Sequence, residues 1–260
     1  MKIICPVGKG TLAKDECLAC ALAADNTCGY DYTLLKSLYA GDQDRSKEIH
    51  VTDLTGCLLR SYLDKKEPQP EYVHEKLAKG LGVLFHKALE VQDEHVDAEV
   101  ALAWDGIIGR ADVVYKDGRL VDFKTSRWLY PSNLPYGSHA LQVNIYAHLL
   151  RQMGREVKSM AIQYIDLSGP TKCRSCKTNV RMIEGVLACP KCGRSPTGAH
   201  LGAVLVEVAP MSKREIERYV ASSVKELEQA LKTGREPQAE PSYLCAYCAH
   251  ACPAGIYQKN

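Results

Sequence analysis

Asp112, Asp122 and Lys124 fall in one short stretch, GRADVVYKDGRLVDFKTS, at residues 109–126. Two apolar runs flank Lys116-Asp117-Gly118, the pattern of a β-hairpin closed by a glycine turn. Side chains alternate across a strand, so Asp122 and Lys124 share a face. Asp112 comes from the neighbouring strand, and cross-strand β-carbons approach within about 5 Å. Two carboxylates that close repel each other, and a divalent cation with hard oxygen ligands removes the conflict. An ammonium beside such a cation steadies a metal-bound hydroxide or a developing phosphate charge without competing as a ligand. An isolated Asp-x-Lys is most often a plain salt bridge. Here Leu120, Val121 and Phe123 mark a central strand, where a charged face is costly unless paired or used.

The second chemical signal is sulfur. The chain has 12 cysteines in 260 residues. Clustered cysteines in a reducing compartment point to metal rather than disulfides. Cys173, Cys176, Cys189 and Cys192 form two CxxC units with 12 residues between them, a zinc-ribbon spacing. Lys172, Arg174, Lys177, Arg181, Lys191 and Arg194 stand in that segment against Glu184, an excess suited to phosphates. The same segment also reads as a folding staple for a loop without a core. Cys5, Cys17, Cys20 and Cys28 carry one CxxC and two outlying thiols, read as a zinc knuckle. Cys57 stands alone, and by itself reads as a small buried apolar residue. If it joins Cys245, Cys248 and Cys252, the thiols fill three tetrahedral sites.

These residues need elements to position them. Residues 1–30 predict a small metal-stapled knuckle, 31–40 a short helix and 41–48 a polar linker. Residues 52–65 predict a helix with an N-cap at Thr52 or Asp53. Residues 71–97 predict a longer helix whose inner face carries Leu77, Leu81, Leu84, Phe85, Ala88 and Leu89. The period then changes, and VALAWDG, GIIGRADVVYK and RLVDFKTS read as strands. The loop RWLYPSNLPYG follows, with Trp128, Tyr130 and Tyr136 as candidates either for stacking on unpaired bases or for packing the loop. Residues 138–154 predict a helix closed by a C′ glycine. VKSMAIQYIDL and GAVLVEVA are two further strands, with the ribbon inserted at their hairpin tip. Residues 211–233 predict an amphipathic helix, and 241–260 an irregular tail. The order implies an α/β core on a mixed sheet.

Composition sets limits. Apolar content of 46% and charged content of 25% are those of an ordinary globular protein, and a formal charge of +2 means any basic surface is local. No run approaches the length of a membrane span. The opening MKIICPVGKG lacks a long apolar signal segment, which predicts a cytoplasmic protein.

GIIGRAD at 106–112, VDFKT at 121–125 and QVNIY at 142–146, preceded by GVLFHKALE at 82–90, together resemble the RecB-like branch of the PD-(D/E)XK nuclease superfamily. The resemblance implies a restriction-endonuclease-like α/β core, a mixed central sheet flanked by helices, with small Cys-rich metal-binding appendages. It implies Mg²⁺- or Mn²⁺-dependent cleavage of DNA phosphodiester bonds. His86, Asp112, Asp122 and the Phe123 carbonyl would be metal ligands and Lys124 the catalytic lysine. Gln142 and Tyr146 would form the family's glutamine–tyrosine element on one helical face. The core would comprise 49–170 and 200–240, the ribbon 171–199 and the tail 241–260.

Within that branch, the chain is most similar to the iron–sulfur subgroup, which includes AddB-type nucleases and CRISPR-associated RecB-like exonucleases. The likeness implies that Cys57, Cys245, Cys248 and Cys252 bind a [4Fe-4S] cluster, clamping the nuclease core. The Cys248–Cys252 spacing is shorter than usual there, so zinc stays as the alternative. The implied substrate is DNA with single-stranded ends, in spacer processing or repair, with a CRISPR integrase complex or a helicase as partner. The alternative is a catalytically silent nucleic-acid-binding or scaffolding subunit of the same fold.

Overall fold

The computed structural model describes residues 2–23, 28–40, 48–88, 93–126, 129–242, 245, 248–250 and 252, apart from the His86 side chain. In chain order the elements are β1 (Lys2–Ile4), β2 (Thr11–Ala13), α1 (Lys14–Leu22), α2 (Tyr32–Ala40), β3 (Ile49–His50), α3 (Val51–Leu54) and α4 (Leu58–Lys66). They continue with β4 (Glu71–Tyr72), α5 (Val73–Ala88), β5 (Val96–Trp104), β6 (Ile107–Tyr115), β7 (Arg119–Ser126), a 3₁₀ turn (Pro131–Asn133) and α6 (Gly137–Gln152). The last are β8 (Ser159–Asp166), β9 (Arg181–Ile183), β10 (Val186–Ala188), β11 (Ala203–Glu207) and α7 (Lys213–Thr233). The chain divides into two units, Met1–Ala88 with Tyr219–Asn260, and Leu89–Arg218.

The unit Leu89–Arg218 holds the mixed sheet, with strands in the order β11-β8-β7-β6-β5. β5, β6 and β7 form an antiparallel meander; β8 lies parallel to β7 and β11 antiparallel to β8. Parallel neighbours need a crossover, and α6 supplies it. α6 packs on β6, β7 and β8, burying Val143, Ile145, Ala147, Leu149 and Leu150. Its end is a Schellman motif: Gly154, at φ 79, bonds back to Arg151 and Arg155 bonds back to Leu150. Asn144 bonds the Ala209 carbonyl and the Met211 amide, tying the helix to the chain beyond β11.

Two turns make the meander. Asp105 and Gly106 both have positive φ, 48 and 77, as the tight β5–β6 hairpin requires. The β6–β7 turn ends on Gly118 at φ 92. The expected first strand begins earlier than VALAWDG, at Val96. Residues 93–97, expected in the preceding helix, instead make a bridge and open β5, where the Lys116 amide bonds the His95 carbonyl at 2.9 Å.

In the other unit, β2-β1-β4 form a small sheet. Ile3, Cys17, Leu35, Tyr39 and Val73 pack into one apolar cluster, so Cys17 sits in a core shared with α2 and the start of α5. The expected helix over 52–65 is two helices, α3 and α4. The chain breaks at Gly56, and Cys57 becomes the residue preceding α4, with extended backbone. Asp53 holds the corner: it accepts the His50 amide at 2.8 Å and pairs with buried Lys65 at 2.8 Å. α5 does not bury the face expected of it. Leu81 and Leu84 are exposed, whereas Val73 is buried and Gly80 lies under α2, where a β-carbon would stand 2.8 Å from Leu38. The α7 positions Ile216, Val220, Leu227 and Ala230 are buried at helical spacing, and Tyr219 donates to the Leu54 carbonyl at 2.7 Å.

Candidate active site

The β6–β7 ladder pairs Val114 with Leu120 and Val113 with Val121. One register step further, where Asp112 stands opposite Asp122, the Asp112 carboxylate accepts the Phe123 amide at 2.6 Å. On its other side the β5–β6 ladder skips the same position: pairing passes from Ala98↔Val113 to Val100↔Ala111. The skipped residue, Glu99, takes φ 51, a strained value for a residue with a side chain. Both ladders therefore open at Asp112.

Asp122 is 1% exposed, and the Lys124 ammonium stands 2.8 Å from its Oδ2. The β7–β8 register sets Asp122 beside Ile162, Lys124 beside Tyr164 and Ser126 beside Asp166, all on one face. α6 covers that face, bringing Gln142 and Tyr146, both buried, with Gln142 Nε2 donating to the Tyr146 hydroxyl at 2.7 Å. Asp112, Asp122, Lys124, Phe123, Gln142 and Tyr146 all belong to this one unit. Two carboxylates at a ladder opening, one nearly inaccessible to water, are hard oxygen donors of the kind a Mg²⁺ or Mn²⁺ ion takes. His86 lies on α5, in the other unit, and its side chain is outside the described residues. Trp128 is likewise outside them; Tyr130 is exposed and Tyr136 is half-buried.

Sequence reasoning passed over His139 and Tyr164. His139 Nδ1 is 3.1 Å from the Tyr164 hydroxyl, which accepts the Tyr136 amide at 3.2 Å. Burial, and then the Lys124 charge, pulls the His139 pKa down to about 4, so a neutral imidazole faces the ammonium. The signal was present: His139 lies three residues before Gln142 and seven before Tyr146, on the same helical face.

Asp166 was passed over too. Its carboxylate accepts the Leu129 amide at 2.9 Å, and the Ser168 amide at 2.7 Å and hydroxyl at 2.5 Å. His200 Nε2 lies 3.4 Å away, and His200 Nδ1 accepts the Gly202 amide, which leaves the ring proton on Nε2. Those hydrogen bonds hold the Asp166 carboxyl below the usual carboxylate range despite its burial.

The ribbon thiols converge: the Sγ atoms of Cys173, Cys176, Cys189 and Cys192 lie within 4.8 Å of one another. Backbone amides of Cys176 and Ser175 pull the Cys173 thiol down to about 6. Hydrogen bonds from its neighbours and burial push Cys176 up to about 12. Four soft donors so close repel one another once ionised, and a cation such as zinc is what their geometry accepts. Around Cys17, burial raises the thiol, and Cys28, Cys20 and Cys5 raise it further; Tyr39 Oη is 3.2 Å from its sulfur. In the tail, His250 Nε2 lies 2.6 Å from Asp64 Oδ1 on α4, the helix that Cys57 precedes. Cys57, Cys245, Cys248 and Cys252 are all partly exposed. Among the described residues, the ribbon is the one group of three or more such ligands drawn this close.

The fold and these motifs can be set beside known proteins. A crystal structure of SSO0001 is similar at a TM-score of 0.50 and 18% identity, over 85% of this chain and 94% of that one. A phage-related exonuclease from Haemophilus somnus 129PT matches at a TM-score of 0.43 and 12% identity, over 72% and 96% of the two chains. An alkaline exonuclease (LHK-Exo) from Laribacter hongkongensis matches at 0.39 and 12%, over 76% and 94%. No curated protein matches by sequence. Residues 34–253 match the description PD-(D/E)XK nuclease superfamily, a span that contains Asp112, Asp122, Lys124 and the helix above them. The chain therefore belongs to the PD-(D/E)XK nuclease superfamily.

Proposed function

We propose that the protein is a divalent-metal-dependent deoxyribonuclease that hydrolyses DNA phosphodiester bonds from single-stranded ends. The observation that carries this reading is the meeting of Asp112 and Asp122 at one opening of the sheet, with Lys124 on the same face. Asp112, Asp122 and the Phe123 carbonyl would hold Mg²⁺ or Mn²⁺, with His86 as a further ligand. When bound, such an ion polarises the scissile phosphate and lowers the pKa of a coordinated water. Asp112 is pre-set by the Phe123 amide, so its second oxygen is oriented before any ion arrives. Lys124, 2.8 Å from Asp122, would present its ammonium to the attacking water and the phosphate. Gln142 and Tyr146, bonded to each other one helical turn apart, fix each other's orientation on the covering helix. His139, uncharged at neutral pH, adds no second cation to compete with Lys124.

The resemblance to CRISPR-associated RecB-like exonucleases supports a role in trimming DNA before integration, or in repair, beside an integrase complex or a helicase in the cytoplasm. No described helix is long and apolar enough to cross a membrane. We read Cys57, Cys245, Cys248 and Cys252 as a [4Fe-4S] or zinc clamp, which the His250–Asp64 contact between tail and α4 supports. The Cys5, Cys17, Cys20 and Cys28 group is read as a second zinc site, in addition to the ribbon. The test incubates purified protein with Mn²⁺ or Mg²⁺ and end-labelled single-stranded DNA, beside Asp122→Ala. Ion-dependent cutting lost in the variant is the expected result. Equal cutting by both proteins eliminates the assignment, and ion-independent binding without cutting makes the chain a silent scaffold.

A further inference from the structure

Residues 171–199 do more than close a metal site. β9 and β10 pair Ile183 with Val186 and Met182 with Leu187, and the turn residues Glu184 and Gly185 have φ 48 and 80. Two positive φ values in a two-residue loop fit the twist of the strands, so the tip holds its shape. That tip is apolar and bare: Met182 is 57%, Ile183 38% and Val186 53% exposed. A solvated hairpin end ordinarily carries polar side chains, so three exposed aliphatic groups on one small finger call for an occupant. Behind the tip, Arg174, Lys177, Arg181 and Lys191 are exposed, and among the described residues none is ion-paired. Glu184 is the segment's one acid, whereas the chain as a whole is nearly balanced at +2.

The finger has a fixed root. Thr171 and His200 exchange hydrogen bonds, Asp166 N–H bonds the Gly202 carbonyl at 2.7 Å, and Leu167 N–H bonds the Ser126 carbonyl. A β-carbon on Gly198 would lie 3.6 Å from Pro131, in the segment that follows β7. The insertion therefore springs from the strand ends two residues beyond Lys124.

We propose that this thiolate-stapled finger engages DNA at a junction of paired and unpaired strands. Its cations take duplex phosphates, and Met182, Ile183 and Val186 seat against the last base pair. A nearly neutral second copy offers no matching charge, whereas a polyanion with flat apolar faces offers both halves of the match. Aliphatic wedges set against base steps are an established way to part a stack. The inference rests on the nuclease reading for its use, since a parted strand would be delivered towards Asp122, but not for its binding.

The test uses the full chain carrying Asp122→Ala, a duplex with a single-stranded tail, and that tail alone, with 2-aminopurine in the terminal pair. The parent should bind the tailed duplex about tenfold tighter than the tail and raise 2-aminopurine fluorescence. Met182→Ser/Ile183→Ser/Val186→Ser should remove that preference and the fluorescence rise while keeping affinity for the tail. Lys177→Ser/Arg181→Ser/Lys191→Ser should weaken both and cut the log–log salt slope by about 2–3. Parent-like bound-metal content establishes that each variant finger is intact. A tip variant that keeps the preference and the fluorescence overturns the inference, as does a parent with no preference. If Asp122-intact protein cuts DNA while the finger variants behave like the parent, only the finger falls. If the finger variants lose binding and the Asp122-intact protein never cuts, the finger stands and the nuclease reading falls.

Discussion

The acidic hairpin and the cysteine hairpin are two answers to one problem, holding groups together that repel. At β6–β7 the groups are oxygen donors, and the fold holds them by force of numbers. Buried Leu120, Val114 and Ile162, a parallel neighbour and a capped helix fix the strands before any ion is present. In 171–199 the donors are sulfur, and few buried side chains back them up. Val180, Ala188 and the thiols Cys173 and Cys189 are nearly the whole interior. An ion at the first place would act on a finished scaffold. At the second, the free energy of binding an ion would be folding free energy. The difference teaches that donor convergence alone does not tell a catalytic site from a structural one; the depth of packing behind the donors does.

The contrast can be broken at either end. The largest effect is expected at the acids. Asp122→Asn or Asp112→Asn should lower cutting of labelled DNA by at least about 10²–10³-fold, yet leave the thermal melting midpoint level or higher. Relief of the repulsion between the two carboxylates offsets the loss of the Lys124 pair, whose ammonium is partly exposed. Collapse of the melting transition would mean that these charges hold the sheet together. Next comes Cys189→Ser. It should remove one equivalent of bound metal and erase amide-exchange protection at 180–188, while β7 and β8 stay protected. Unchanged protection would show that the finger folds on its own.

A smaller effect sharpens the catalytic side. His139 has its pKa lowered to about 4, so folding favours its neutral form. Its stabilising contribution is complete above the unfolded value near 6.5 and is lost as pH falls from there towards 4. Urea midpoints should drop between pH 6.5 and 4.5 in the wild type, and less steeply in His139→Gln. Parallel slopes would place the imidazole in water. The smallest effect concerns the turn. Gly118→Ala puts a side chain at φ 92, where its β-carbon would meet Lys158 Cγ at 3.1 Å. A loss of roughly 1–2 kcal/mol in chemical denaturation is expected.

What could be read in advance follows the range of the interactions. Alternation and a glycine turn are local, so the hairpin bearing Asp112, Asp122 and Lys124 was legible, as was the insertion of the ribbon between two strands. The capped helix 138–154 was legible because its glycine stop lies in the same window. The break between α3 and α4 was not, since Leu54, Cys57 and Leu58 keep helical spacing while Gly56 ends the helix. Glu99 gave no warning either, because a skipped register position depends on the partner strand. Asp166 and His200 lie far apart in sequence, and only the β8–β11 pairing brings them together. The buried face of α5 was misjudged for the same reason: Gly80 admits Leu38 from another helix.

The bond from the Asp166 amide to the Gly202 carbonyl spans only 2.7 Å, although thirty-five residues intervene in the chain. β8 and β11 are adjacent and antiparallel there, so a turn of a few residues is enough to rejoin them. The appendage is thus modular: its four thiols converge on one another, and its two ends meet at the adjoining ends of β8 and β11. A gene could acquire it, lose it or exchange it in a single recombination event without disturbing the strands that carry Asp112 and Asp122.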